Sequence, residues 1–226
     1  MYLSRIFLNP RSRQVRSELA NPYELHRTVM HAFAGRTDKN DRVLFRLEIH
    51  PRSGVPALLV QSPLDPNWGF LAVPEKNYLL PLADCPPGMT ENPAVKSFDL
   101  GLQPGQSLMF RLRANPTVKK TVREEGRDER KTRYGLFREE DQLKWLERKL
   151  EASGAMLVSA RASNDTKVKG ERRQADERQE LSFLSVQFDG VLQVKDPAAL
   201  NTAVQAGIGS GKGLGFGLLS LAPARG

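Results

Sequence analysis

Tyr23 and His26 stand one helical turn apart in the segment Asn21-Pro22-Tyr23-Glu24-Leu25-His26, about 60° from each other around a helix axis. Histidine titrates close enough to neutrality both to take and to give a proton, and a phenol beside it can position or protonate a neighbouring group. The chemistry open to such a pair is general acid–base proton transfer. The same two residues could equally pack at the flank of a buried stripe, here Leu25, Val29 and Phe33, and spacing leaves both readings open. Placed near the start of its helix, His26 is expected to feel the positive end of the helix dipole, which disfavours the imidazolium. His31 lies about 140° from His26 around the axis, so the two do not form the four-residue pair that zinc prefers. His31 and His50 read as structural.

The run Gly207-Ile208-Gly209-Ser210-Gly211-Lys212-Gly213-Leu214-Gly215-Phe216-Gly217 is the densest local signal. A phosphate-binding P-loop would need glycine at position 206 and serine or threonine at 213, where this chain has Ala206 and Gly213. A dinucleotide fingerprint fails on spacing as well. What remains is a loop without Cβ atoms, whose N–H groups and Lys212 let a phosphate backbone approach, or else a long bulge or loose turn.

The charge balance points to the same class of partner. Lys and Arg number 34 against 26 Asp and Glu, for a net +8 over 226 residues, while 39% of the residues are apolar. A chain of this composition builds a core and still presents a basic surface to phosphate. The first hundred residues hold 12 basic and 10 acidic side chains, the remainder 22 and 16, so the excess lies in the second part. It gathers in Arg111 to Arg133, with Lys119 and Lys120, and in Arg161 to Arg173, with Lys167, Lys169 and Arg172. Such runs are either solvated loops or basic hairpins that track nucleic-acid phosphates. The single cysteine, Cys85, excludes an intrachain disulfide and a multi-thiolate metal site and suits a reducing compartment. No window approaches the roughly 20 apolar residues of a membrane span, so a cytoplasmic protein without membrane contact is expected.

The elements that must position these groups follow from pattern. Tyr2–Leu8 reads as a strand, then a helical region whose best-marked part starts at Asn21-Pro22, then strands over Val43–His50 and Ala57–Ser62 joined by a turn. A short helical piece and a strand over Asn77–Leu82 would close the first unit, residues 1–93, ahead of the linker-like Pro86–Pro93. The second unit, 94–226, reads as a strand over Ser107–Arg113, a helix over Phe137–Gly154 and paired strands over Leu157–Ala162 and Leu181–Phe188. A helix over Pro197–Gln205 and a last strand over Phe216–Leu221 complete it. Each half fits β-α-β-β-α-β, so the predicted fold is α+β, two tandem ferredoxin-like domains.

An ordered set of segments, MYLSRIFL, NPYELHRTVMHAF, LFRLEIH with LLVQS, FRLRANPTVK, FDGVLQV and the terminal GIGSGKGLGFGLLSLAP, resembles the CasE family over essentially the whole chain. These are the CRISPR RNA-processing endoribonucleases of type I-E systems. The resemblance implies tandem ferredoxin-like (RRM-like) domains and cleavage of the CRISPR repeat RNA at the base of its stem-loop, with no metal and no cofactor. It also implies that the protein stays on the 3′ stem-loop among the other Cascade subunits. The family's catalytic histidine falls on His26 and its assisting tyrosine on Tyr23. By the same resemblance Arg161, Lys167, Lys169, Arg172 and Arg173 would enter the RNA major groove, and Gly209, Gly211, Lys212 and Gly213 would close near the cut. Lys119, Lys120 and Arg27 complete the expected RNA-binding set.

RNA supplies its own nucleophile, the 2′-OH, so such an enzyme needs only a positioned base or acid and cations for the developing phosphorane charge. The rival expectation is an RRM-type RNA-binding subunit with no chemistry. With only 7% aromatic residues and no run of sheet-face aromatics, the chain lacks the stacking signature of that class.

Overall fold

The computed structural model describes residues 1–35, 41–122, 130–164, 168–174 and 177–224. Strand β1 (Tyr2–Phe7) leads into two short helices, α1 (Arg13–Ala20) and α2 (Pro22–His31). Their starts are written locally. The Ser12 hydroxyl accepts from the Val15 N–H, and the Asn21 carbonyl oxygen of the side chain accepts from the Tyr23 N–H, with Pro22 at the first helical position. Strands β2 (Leu44–Ile49), β3 (Pro56–Ser62) and β4 (Ala94–Ser97) follow, and all four strands form an antiparallel sheet in the order β2-β3-β1-β4.

The second unit opens with β5 (Ser107–Ala114) and a hairpin, β6 (Thr117–Val122) with β7 (Arg130–Gly135). Helix α3 (Glu139–Glu151) begins with three acids and ends with Arg148 and Lys149, matching the helix dipole at both ends. Then come β8 (Ala155–Asn164), a second hairpin of β9 (Val168–Gln174) and β10 (Glu177–Phe183), β11 (Val186–Val194), α4 (Pro197–Ala206) and β12 (Leu219–Pro223). The sheet order β12-β5-β11-β8 repeats that of the first unit. In each the fourth strand flanks the first, then the third and second, which is the ferredoxin-like arrangement twice over. Each sheet packs its own core, with Ile6, Phe45, Val60, Leu25 and Val29 in the first and Leu112, Phe188, Leu146, Leu150 and Leu200 in the second.

Three expectations are corrected. Residues 77–82 do not form a strand: Leu79 makes only an isolated bridge to Leu8, between 3₁₀ turns at Pro74–Lys76 and Leu82–Asp84. Pro81 removes a donor in mid-segment and Asn77 takes a left-handed φ of 45°, both of which break a strand. The fourth strand comes later, at 94–97, so the first sheet runs past the expected boundary at residue 93. The expected strand Leu181–Phe188 is divided at Leu184–Ser185: its first part belongs to β10, its second to β11, and it is β11 that pairs with β8.

The two units meet where β2 packs against the Lys212–Leu214 turn and the glycine run that leads into β12, and a buried guanidinium ties them. Arg46 on β2 is 2% exposed. It donates to the carbonyls of Leu218 at 3.0 Å and Arg111 at 3.2 Å, to the Ser220 hydroxyl at 2.9 Å, and to Glu48 at 2.8 Å. Nearby, Gln61 on β3 donates to the Val204 carbonyl of α4 at 2.8 Å. Removing one partner of a buried, multiply bonded ion pair leaves the others unsatisfied. Arg46→Ala is therefore expected to lower stability by about 3 kcal/mol, read as a drop in the urea midpoint; an unchanged midpoint would mean that the seam is held by other contacts.

Candidate active site

Helix α2 is anchored from beneath by a buried carboxylate. Glu18 on α1, 6% exposed, accepts from the Tyr78 hydroxyl at 2.5 Å, from the Thr28 hydroxyl of α2 at 2.8 Å, and from Gln14 at 2.8 Å. Burial, with the Glu18 carboxylate beside it, pushes the Tyr78 phenol far above its usual range, so it stays a donor. With Leu25 and Val29 turned into the core, Tyr23 and His26 come to the flank of α2, both half-buried.

The His26 ring stacks on Phe45 of β2, with centroids 6.0 Å apart and planes 19° from parallel. Its other neighbour comes from the second domain: a Cβ built on Gly213 would lie 3.6 Å from His26 Nε2. Nδ1 is buried without a hydrogen-bond partner. Burial lowers the His26 pKa below its ordinary 6.5, since a charged ring here would carry an unpaired N–H in apolar surroundings. The dipole contribution expected from sequence falls away. The helix starts at Pro22, which puts His26 in its second turn, beyond the reach of the terminus.

The glycine run is neither loose nor open. Ile208 N–H bonds to the Gly217 carbonyl and Gly217 N–H to the Arg113 carbonyl on β5, both within 2.9 Å, while Leu214, Phe216 and Leu218 are buried. Gly211 has φ +79° and a Cβ there would strike Phe216 at 2.8 Å; at Gly209 it would meet Trp145 at 3.2 Å. These two glycines thus face protein. Gly213 differs: it carries no positive φ, and the missing side chain opens space on the imidazole. Phe216 in turn packs on Phe183 at the end of β10 and lies under the Arg113 guanidinium, 5.7 Å from the ring centroid. The loop, the root of the second hairpin and the His26 helix therefore share one location.

The basic residues divide. The elements packed most closely on α2 are α1, the Lys212–Leu214 turn and β9. Lys212 is thus brought beside His26, and the strand that carries Lys169, Arg172 and Arg173 runs along α2; those three residues are placed by their strand positions alone. Lys167 lies outside the described residues. Arg27, next to His26 in sequence, is exposed and pairs with Glu24 at 2.9 Å. Lys119 is exposed on β6, opposite Arg133, with Lys120 next to it on the same strand. Arg161 is exposed on β8, opposite Asp189. Neither β6 nor β8 is among the close neighbours of α2.

His31 packs on Phe70, with centroids 4.5 Å apart, and His50 bonds Ser53 in the β2–β3 turn, both structural uses. Among the described residues no three His, Cys, Asp or Glu side chains are grouped to hold a metal ion, and no helix is long and apolar enough to cross a membrane. What the site offers is a neutral imidazole with one nitrogen facing a space kept clear by a glycine, a phenol one turn away and, packed on the same helix, the turn and the strand that carry Lys212, Lys169, Arg172 and Arg173. Phe45 and Arg46, which orient the ring and the loop that meets it, escaped the sequence reading. Both sit in an ordinary-looking strand, and nothing local shows that its edge faces another domain.

Comparison with known proteins agrees with this geometry. The family model described as CRISPR associated protein matches residues 1–223. The CRISPR-associated endoribonuclease Cse3 of Thermus thermophilus is 36% identical over 234 residues, covering 99% of this chain and all of that protein. The CRISPR system Cascade subunit CasE of Escherichia coli is 32% identical, covering 99% of this chain and all of its own length. Among solved structures, Thermus thermophilus Cse3 bound to an RNA representing a pre-cleavage complex superposes with a TM-score of 0.76 at 35% identity, covering 98% of each chain. In its two linked sheets, its ordered segments and its full-length match, this chain belongs to the CRISPR associated protein family.

Proposed function

We propose that this protein is an endoribonuclease that cuts CRISPR precursor RNA within the repeat, at the base of a stem-loop. It then stays on the guide RNA beside other Cascade subunits in the cytoplasm. The observation that carries the reading is the half-buried, uncharged His26 ring whose Nε2 looks onto Gly213 from the other domain. A non-catalytic RNA-binding subunit has no need of such a nitrogen.

In the proposed reaction His26 Nε2 takes the proton of the ribose 2′-OH. The 2′-oxygen attacks the adjacent phosphorus, the bond from phosphorus to the 5′-oxygen breaks, and that oxygen leaves with a proton supplied by Tyr23. The products are a 2′,3′-cyclic phosphate and a 5′-OH, and the step draws on no metal ion. Lys212, beside the loop glycine, and Arg27, released from Glu24, would offset charge on the phosphorane oxygens. The strand of the second hairpin that runs along α2 brings Lys169, Arg172 and Arg173 toward the RNA stem. The base role for His26 is supported by burial, which keeps the ring neutral near pH 7.

His26→Ala should lower single-turnover cleavage of a labelled repeat hairpin, in the presence of chelator, by at least about 10²-fold while binding survives; cleavage at the wild-type rate would overturn the assignment.

Gly213→Ala is a finer probe. Its φ suits any residue and its methyl would sit in ordinary van der Waals contact, 3.6 Å from Nε2, so the melting temperature should hold. The methyl nevertheless fills the space where the ribose must come, and cleavage should fall sharply.

The pH dependence has a definite sign. With the folded pKa of His26 below 6.5, the base form persists on the acid side of neutrality, so kcat/KM should rise with pH with its midpoint below 6.5. A profile that falls with rising pH over that range would give His26 the proton-donating role. Stability follows the same linkage. Between the unfolded pKa and the lower folded one the unfolded chain binds more protons, so the His26 contribution is present above pH 6.5 and is lost as pH falls.

A further inference from the structure

Lys212 has neighbours that the proposed proton transfers do not use. Its loop is pinned at two places away from His26. A Cβ on Gly207 would lie 2.8 Å from Leu44 Cδ2, and one on Gly209 would lie 3.2 Å from Trp145. The Lys212 stem crosses Gly217, with Cγ 3.3 Å from where a Cβ would stand. Arg42 enters two residues ahead of Leu44, and Lys149 stands one turn beyond Trp145 on α3. The segments that carry these three cations thus meet at the loop.

Their mutual effect is visible on Lys212: burial, then the charges of Arg42 and Lys149, push its ammonium below the usual lysine range. The ion pairs among the described residues join Arg27 to Glu24, Arg46 and Arg111 to Glu48, and Arg111 to Asp189, and none involves these three cations. Arg42 and Lys149 are exposed. Like charges that lack an ion-pair partner among the described residues repel, and a bound anion relieves them. Cations on separate elements suit a backbone phosphate, which positions a strand without reading its sequence.

We propose that Arg42 and Lys149, together with Lys212, hold a phosphate of the single-stranded RNA that runs on past the scissile linkage, and so draw that linkage onto His26. The inference rests on the ribonuclease reading above and adds two positioning residues to it. It gives the departing flank its own contact, built from the segment leading into β2, α3 and the glycine loop, separate from the β9–β10 hairpin assigned to the stem.

The test uses the full chain and two RNAs, the repeat stem-loop with several nucleotides beyond the cut and the same stem-loop ending just beyond it. Wild type should cut the flanked RNA faster. Arg42→Ala and Lys149→Ala should each lose that advantage, and the slope of log affinity against log salt for the flanked RNA should shrink by about 1. Lys149→Arg, which keeps the charge, should restore both. A flank advantage and salt slope that survive either alanine substitution would overturn the proposal, as would a wild type that makes no distinction between the RNAs. The salt titration needs no cleavage, so a chain that binds with the expected slopes but never cuts would sink the catalytic reading and leave the phosphate contact standing.

Discussion

The seam between the two sheets depends on one buried guanidinium. Arg46 faces out from the edge strand β2 and spends its donors on the carbonyls of Arg111 and Leu218, the Ser220 hydroxyl and Glu48. Each acceptor lies on or next to the edge of the other sheet, or on β2 itself. A buried charge is tolerable only when its hydrogen bonds are met, and here they can be met in only one relative placement of the domains. Arg111 extends the network to Glu48 and Asp189, so the register of β5 and β11 is coupled to the same contact.

That placement makes the site. Phe45, the residue before Arg46, offers one face of its ring to His26, and its Cε2 lies 3.2 Å from the Cβ position of Gly215. The loop that follows α4 reaches the imidazole because β2 packs against it, Leu44 at Gly207 and Phe45 at Gly215. Neither domain holds the site by itself. The first supplies the base and the apolar surroundings that keep it neutral; the second supplies the glycine beside it, Lys212 and the hairpin strand along α2. In the proposed reaction an RNA gripped by the second domain would be presented to a nitrogen carried by the first, and binding energy from the hairpin would go into alignment at the reacting atoms.

The glycines show how one sequence feature can have two causes. Six glycines alternate through the run, and from sequence they read together as room for a phosphate or as a long bulge or loose turn. In the fold, Gly209 and Gly211 are needed because Trp145 and Phe216 occupy the places of their side chains. Gly213 alone leaves open space against the imidazole. A loop packed this closely costs little to order when substrate arrives, because its backbone is already held by Arg113 and by its own cross-bonds.

Local chemistry made much of this legible in the chain. The Asn21-Pro22 start of α2, the Asp196-Pro197 start of α4, the apolar spacing of α3 and the alternation of β1, β3 and β5 are each settled within a few residues by capping, proline geometry and burial pattern. The Tyr23–His26 pair and the basic bias of the second part are likewise properties of composition and spacing. Tertiary structure decided the rest: that the fourth strand of the first sheet lies at 94–97, where a proline-broken segment had seemed a better candidate, and that His26 stays neutral through burial, with no help from a helix end. It also decided that Gly213 faces the imidazole and that Arg42, Lys149 and Lys212 gather beside the loop. Each of these turns on contacts between residues tens to nearly two hundred positions apart, and such contacts exist only once the chain has folded.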